Sequence, residues 1–188
     1  ELHHPEHECA AEVRLFNEFV TAKRTAEAAS AFMHVNGDEG GRYALTGVGD
    51  VNTYALFSES ILQITSDKGR AGFIVPTGIA TDDSTKAFFS YLTQNLKLVQ
   101  LLAFENEEFI FPSVHHSFRF CMLTVGASEQ AEFVFFARQP SQVHDVRRRF
   151  KLTPEEFRLI NPNSLTCPVF RSEQDAELTK KLYRAAPV

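Results

Sequence analysis

Tryptophan is absent from the 188 residues, methionine occurs twice, and cysteine is limited to Cys9, Cys121 and Cys167. Three widely spaced thiols with no Cys-x-x-Cys pair exclude a disulfide framework and the paired-ligand zinc and redox motifs. Such usage suits a reducing compartment, so a cytoplasmic setting is expected. No apolar run approaches the ~20 residues that span a bilayer. Glu1-Leu2-His3-His4 offers neither an initiator Met nor the apolar core of a signal peptide, so the chain is expected to be a soluble piece of something longer. Phosphate loop, serine elbow and paired carboxylates are missing too, and Gly47-Val48-Gly49 is too short for a dinucleotide fingerprint. His3, His4, His7 and Cys9 are metal-capable residue types, yet they sit at a terminus without a second ligand cluster, so no metal is expected. His115-His116 reads as a solvated pair rather than a proton shuttle, because neighbours on an extended segment point opposite ways.

What is present is phenylalanine. Eighteen Phe and a 44% hydrophobic fraction are enough for a sizeable core in a chain of this length, which should form one domain with a short appendage. The net charge of −5 hides an asymmetry: residues 118–188 carry 11 basic and 8 acidic side chains. A bound polyanion should favour that end, with Arg147, Arg148, Arg149 and Lys151 as candidate contacts, although a solvated loop is the plainer explanation of the run.

Along the chain, Glu8–His34 has helical periodicity with Val13, Phe16 and Val20 on a face expected to be core. Asn36–Gly41 breaks it. A second helix after Asp50 shows a stripe of Tyr54, Phe57, Ile61 and Ile64. Arg70–Pro76 is a short apolar run closed by proline and reads as a strand buried on both faces. A helix from about Asp82 directs Phe88 and Leu92 inward, and Lys97–Phe104, Phe118–Val125 and Ala131–Phe136 read as strands. The short link before Ala131 suggests that the last two are antiparallel neighbours. Thr153-Pro154-Glu155-Glu156 is a helix start with a capping box, and a final helix near Glu173–Arg184 presents Leu178 and Leu182. The expected class is α/β: a mixed, mostly parallel sheet with an antiparallel strand, flanked by helices.

Taken together, Asn52-Thr53-Tyr54-Ala55-Leu56-Phe57, then Lys68–Thr77 with its Gly-x-x-x-Phe-Ile-Val-Pro character, then Phe109-Ile110-Phe111-Pro112 before a strand, resemble the second half of an adenine-N6 DNA methyltransferase. The similarity is to the gamma-order enzymes, including methylase parts of type II restriction-modification proteins, and is best over residues 44–125. The resemblance implies a partial Rossmann-like methyltransferase sheet. It also implies S-adenosylmethionine as cofactor, double-stranded DNA as partner, and methyl transfer to adenine N6 without a metal. By motif position, Phe57 would border the cofactor's adenine and Phe111 would stack on the flipped base, with Phe109 as a neighbour that could be mistaken for it.

The family's Asn/Asp-Pro-Pro-Tyr/Phe catalytic loop does not occur in the sequence, and Asn161-Pro162-Asn163 is no substitute. Nor does the glycine-rich turn that holds the cofactor's methionine end. Residues 1–139 are therefore expected to be the back half of a catalytic domain, inactive alone, and 140–188 a connector toward a target-recognition region. An unpaired edge at Ala71–Val75 invites self-association unless the first helix covers it. The competing readings are a non-catalytic α/β interaction module that binds protein or nucleic acid, and a methyltransferase acting on RNA or protein.

Overall fold

The computed structural model describes residues 10–34, 41–163 and 166–186. Residues 36–40 of the break expected at Asn36–Gly41, and the His3, His4, His7 and Cys9 group, fall outside these residues. Helix α1 (Ala10–Met33) leads to α2 (Thr53–Ile64), β1 (Arg70–Pro76), the short α3 (Gly78–Thr81) and α4 (Lys86–Gln94). Strands β2 (Leu98–Glu105), β3 (Arg119–Gly126), β4 (Ala131–Ala137) and β5 (Phe150–Leu152) follow, then α5 (Pro154–Ile160) and α6 (Glu173–Ala185).

The five strands form one mixed sheet in the order β1-β3-β2-β4-β5. Strands β1, β2 and β4 run in one direction. Strand β3 lies antiparallel between β1 and β2, and β5 is antiparallel to β4. Strands β3 and β4 are therefore not the neighbours expected from their short link, because β2 separates them. Two strand spacings amount to about 9.5 Å, which the residues between Gly126 and Ala131 can span. Hydrogen bonds steer the crossing over the start of β2: Gly126 N–H donates to Lys97 O at 2.9 Å, and Ser128 N–H to Leu96 O at 2.9 Å. Gly126 takes a φ of 152°, and a Cβ there would meet Gly69 O at 2.8 Å, so only glycine suits the corner.

One sheet face carries the core. Ala55, Ile79, Phe88, Phe89, Leu92, Phe157, Ile160 and Ala176, from α2 through α6, pack on Leu101, Ala103, Cys121, Leu123, Val125, Phe133 and Phe135. The inward Phe88 and Leu92 are as the sequence implied, and so is the capping box, in which Thr153 and Glu156 exchange hydrogen bonds. On the other face a small cluster of Leu102, Phe104, Val134 and Ala137 is covered by Ile110, Phe120 and Val143. Beyond it the sheet is open: Ile74 is 53% and Met122 45% exposed. Strand β1 is thus not buried on both faces. Its alternate residues face an uncovered surface, and among the described residues it pairs only with β3.

Helical faces also differ from the periodic reading. Helix α1 buries no residue, and Val13, Phe16 and Val20 are exposed because no element packs against them. It therefore gives the β1 edge no cover. An apolar stripe records that a helix can use a partner, not that this chain contains one. Helix α2 turns Ala55, Leu56, Ser58 and Glu59 inward, with Tyr54 and Ile61 half-buried, and leaves Phe57 and Ile64 outside. Helix α6 buries Ala176 and Lys180 while Leu178 and Leu182 are exposed. In α2 and α6 a buried charged residue, satisfied by partners, sets the helix rotation.

Burial pushes the Cys121 thiol up to about 12, and burial with Cys121 nearby raises Cys167 well above its usual value. Neither is a thiolate nucleophile at neutral pH.

Candidate functional site

The carboxyl ends of β1 and β2 lie on the same sheet edge, since the two strands are co-directional across β3. In α/β sheets that edge is where ligands bind. Two of the aromatic residues picked out from the sequence lie on segments next to it.

The first is Phe57. Helix α2 precedes β1, and its half-buried Tyr54 comes to the turn after β1: the Tyr54 hydroxyl lies 3.2 Å from where Gly78 would carry a Cβ. Burial, followed by the charge of Asp82, raises the Tyr54 phenol above its usual value. One turn on, Phe57 is 68% exposed. Its ring is outside the apolar stripe to which periodicity assigned it, so core packing does not account for it.

The loop before α2 is fastened by Glu59, which sequence reading missed. The buried Glu59 carboxylate accepts from Leu45 N–H at 3.2 Å, Thr46 N–H at 2.9 Å and the Thr46 hydroxyl at 2.7 Å. A glutamate in a helical run gives no sign in sequence that it will turn inward to hold a loop.

The second aromatic is Phe111, in the loop that joins β2 to β3. Asn106 organises this loop. Fully buried, it accepts from Phe111 N–H at 2.9 Å and donates to Phe111 O at 3.0 Å and Val114 O at 2.9 Å. Its own N–H donates to Phe118 O at 3.1 Å. Phe111 stands edge-on to Phe120, centroids 4.8 Å apart, and Phe120 stacks on Phe104 at 5.1 Å and 5°. The three rings run from the buried Phe104 out to Phe111, which is 37% exposed. Phe109 sits beside this ladder in a left-handed conformation (φ 51°), half out in solvent, with its ring 6.3 Å from His116.

Replacing Asn106 by alanine should strand Phe111 N–H, Phe111 O and Val114 O and loosen residues 107–118, destabilising the fold by about 1–3 kcal/mol. Amide exchange should accelerate at Phe111, whose N–H loses its acceptor, and at Val114, whose N–H donates to Phe111 O within the same turn, before the strands are affected. Unchanged protection at those amides would show that the turn does not depend on Asn106.

His115 and His116 are exposed, as expected of a solvated pair, but their rings lie together at 4.4 Å rather than pointing apart, because the segment turns instead of extending. Among the described residues no three His, Cys, Asp or Glu side chains gather as a metal site.

The basic run divides. Arg149 makes a two-pronged pair with Glu132, which ties the start of β5 to β4 and, by hydrogen bonding, holds the Glu132 carboxyl below its usual range. Lys151 is exposed and lines a depression that also contains Glu132, Glu156, Glu173 and Glu177. Arg147 and Arg148 turn to a different cleft with Arg119, Arg138 and Arg171, which the sequence did not bring together.

The fold so described is a methyltransferase-like α/β fold. It matches the methyltransferase subunit of a type I restriction-modification system from Streptococcus thermophilus with a TM-score of 0.50 and 10% identity over 66% of this chain. The matched part is 32% of that subunit, so the chain spans about a third of its length. In sequence, residues 22–111 match the family described as Eco57I restriction-modification methylase, a stretch that includes both Phe57 and Phe111. A further structural similarity is to the type IIG restriction endonuclease BpuSI, with a TM-score of 0.43 and 17% identity over 63% of this chain and 16% of that one. No curated protein sequence matches the chain. Among the described residues no helix is long and apolar enough to cross a membrane.

Proposed function

We propose that the chain is the back part of the catalytic domain of an S-adenosylmethionine-dependent, adenine-N6 DNA methyltransferase of a restriction-modification system. In this reading residues 1–139 belong to that domain and 140–188 lead toward target recognition. The observation that carries it is Phe111: a partly exposed ring at the end of a stacked aromatic ladder, on a turn fixed by a buried asparagine. A ring so held can receive a base taken out of the duplex without ordering a loop first. The similarity to restriction-modification methylases over residues 22–111 supports the same assignment.

For the cofactor, the residues present fit one wall only. Phe57 offers an unpacked aromatic face near the carboxyl end of β1, suited to an adenine ring, while no glycine-rich turn occurs to hold the methionine end. S-adenosylmethionine would supply the methyl group. This chain would border its adenine through Phe57 and hold the target base through Phe111, and alone it would be inactive. The setting would be the cytoplasm, with DNA as the partner.

The test uses a polypeptide that carries this chain behind an Asn-Pro-Pro-aromatic segment, with labelled S-adenosylmethionine and duplex DNA. Label should reach adenine N6, and Phe111→Ala should lower kcat/KM by about 5–150-fold, as loss of about 1–3 kcal/mol of base stacking requires. Transfer to RNA or protein instead, or undiminished transfer by the variant, would refute the assignment.

A further inference from the structure

A cleft of about 710 Å³ is lined by five arginines from four separate segments. Arg119 and Arg138 come from the ends of β3 and β4, Arg147 and Arg148 from the connector, and Arg171 from the approach to α6. Three carboxylates, Glu105, Asp145 and Glu173, face them, which leaves two positive charges in excess.

The carboxylates are shared in a way that leaves guanidinium N–H groups uncommitted. Glu105 pairs with Arg138 at 3.0 Å and with Arg119 at only 3.7 Å. Asp145 takes a two-pronged pair from Arg147, at 3.0 and 2.8 Å, and stands 4.0 Å from Arg148. Arg171 has no carboxylate partner among the described residues. Its guanidinium lies 5.4 Å over the ring of Phe136, an arrangement that leaves the planar edge of five N–H donors free. Phe136 lies where the β2–β4 register shifts, with a φ of 58°, and its side chain lines the cleft.

The cleft is continuous with the Phe111 loop. Glu105 and Arg119 are register partners that close residues 106–118 at their base, and the Gln139 side chain donates to Glu108 at 2.7 Å across the same boundary.

From this geometry we infer that the cleft is a phosphodiester clamp, which grips the nucleic-acid backbone beside the base held at Phe111. Guanidinium forks suit phosphate oxygens, and their spread over four segments suits a run of phosphates rather than one anion. The choice of nucleic acid rests on the reading of Phe111 given above. Arg149 and Lys151 are outside the clamp.

The experiment is anisotropy of a fluorescein-labelled duplex carrying one unpaired adenine, titrated with this chain between about 50 and 200 mM salt. Each phosphate contact contributes about 0.9 to the slope of log K against log salt, so Arg138→Gln with Arg171→Gln should lower the slope by about 2. Phe111→Ala should leave the slope unchanged but remove the preference for the unpaired adenine over a fully paired duplex. Far-UV circular dichroism checks the double variant. If it does not fold, Arg147→Gln, at a highly exposed side chain, should lower the slope by about 1. A wild-type slope in the arginine variants, or no duplex binding at about 50 mM salt, overturns the clamp. So does thermal stabilisation by inorganic pyrophosphate that DNA fails to displace, which would mark a free-anion site. Loss of slope in the arginine variants with an intact adenine preference in Phe111→Ala would leave the clamp standing and remove the base-stacking role instead.

Discussion

Phe133→Ala is expected to lower the unfolding free energy by about 3–5 kcal/mol, a large share of the about 5–15 kcal/mol that holds an ordinary domain together. Phe133 is completely buried and packs against Phe135 at 6.1 Å, Phe150 at 5.5 Å and Phe157 at 5.7 Å. It is where strands β4 and β5 and helix α5 meet, so a cavity there cannot collapse without moving all three. Two of the contacts are stacked and one is edge-on, and each such pair adds about 0.5–1.5 kcal/mol beyond burial. Urea unfolding followed by far-UV circular dichroism is the measurement, since the chain has no tryptophan. A fall in midpoint at constant slope is the expected form. A cost below about 1 kcal/mol, typical of a surface change, would mean that this junction is not the centre of the core.

Lys180→Met should cost about 3 kcal/mol, the low end for removing one partner of a buried ion pair. The ammonium is almost fully buried between Glu156, at 3.1 Å, and Glu177. Glu156 keeps Arg184 at 3.3 Å and its place in the capping box of α5, which limits the loss. The pH dependence separates charge from packing. Burial acts to lower the Lys180 pKa, but hydrogen bonds with Glu177 and Glu156 outweigh it, and the net direction is up. The hydrogen bond from Lys180 in turn holds Glu177 below its usual range. The raised lysine contributes stability that is complete below its ordinary pKa and lost as pH rises through the raised one. The depressed glutamate contributes above its ordinary pKa, and that share is lost as pH falls through the lowered one. The destabilisation by Lys180→Met should therefore be greatest near neutral pH and shrink in acid. An equal cost at both would assign the effect to the methylene stem.

Strand positions were legible because each run carries its own punctuation: Gly69 and Pro76 bracket β1, and Gly126 closes β3. The start of α5 was legible for the same reason, since Thr153, Pro154 and Glu156 act on immediate neighbours. Pairing order was not, because it rests on Leu96 and Lys97 receiving hydrogen bonds from Ser128 and Gly126, contacts between backbone groups that no side-chain pattern encodes. Helix rotation failed where a buried charge set it, as with Glu59 and Lys180. Of the site, Phe57 and Phe111 could be picked out, but Asn106 and the gathering of Arg119, Arg138 and Arg171 could not. Those residues are distant in sequence or look like ordinary loop polarity until the sheet assembles them.

The insertion of β3 between two strands that precede it has a consequence during synthesis. Of these strands β1 leaves the ribosome first, and it cannot pair with β3 until β3 has emerged, about 50 residues later. At ~5–20 residues per second, β1 waits for several seconds with its ladder to β3 unmade. A β2–β3 hairpin closed through the Asn106 turn is the local contact that can form first and then recruit β1 on one side and β4 on the other. The asparagine that orders the Phe111 loop in the finished protein would thus also help to close the hairpin for which a nascent apolar strand waits.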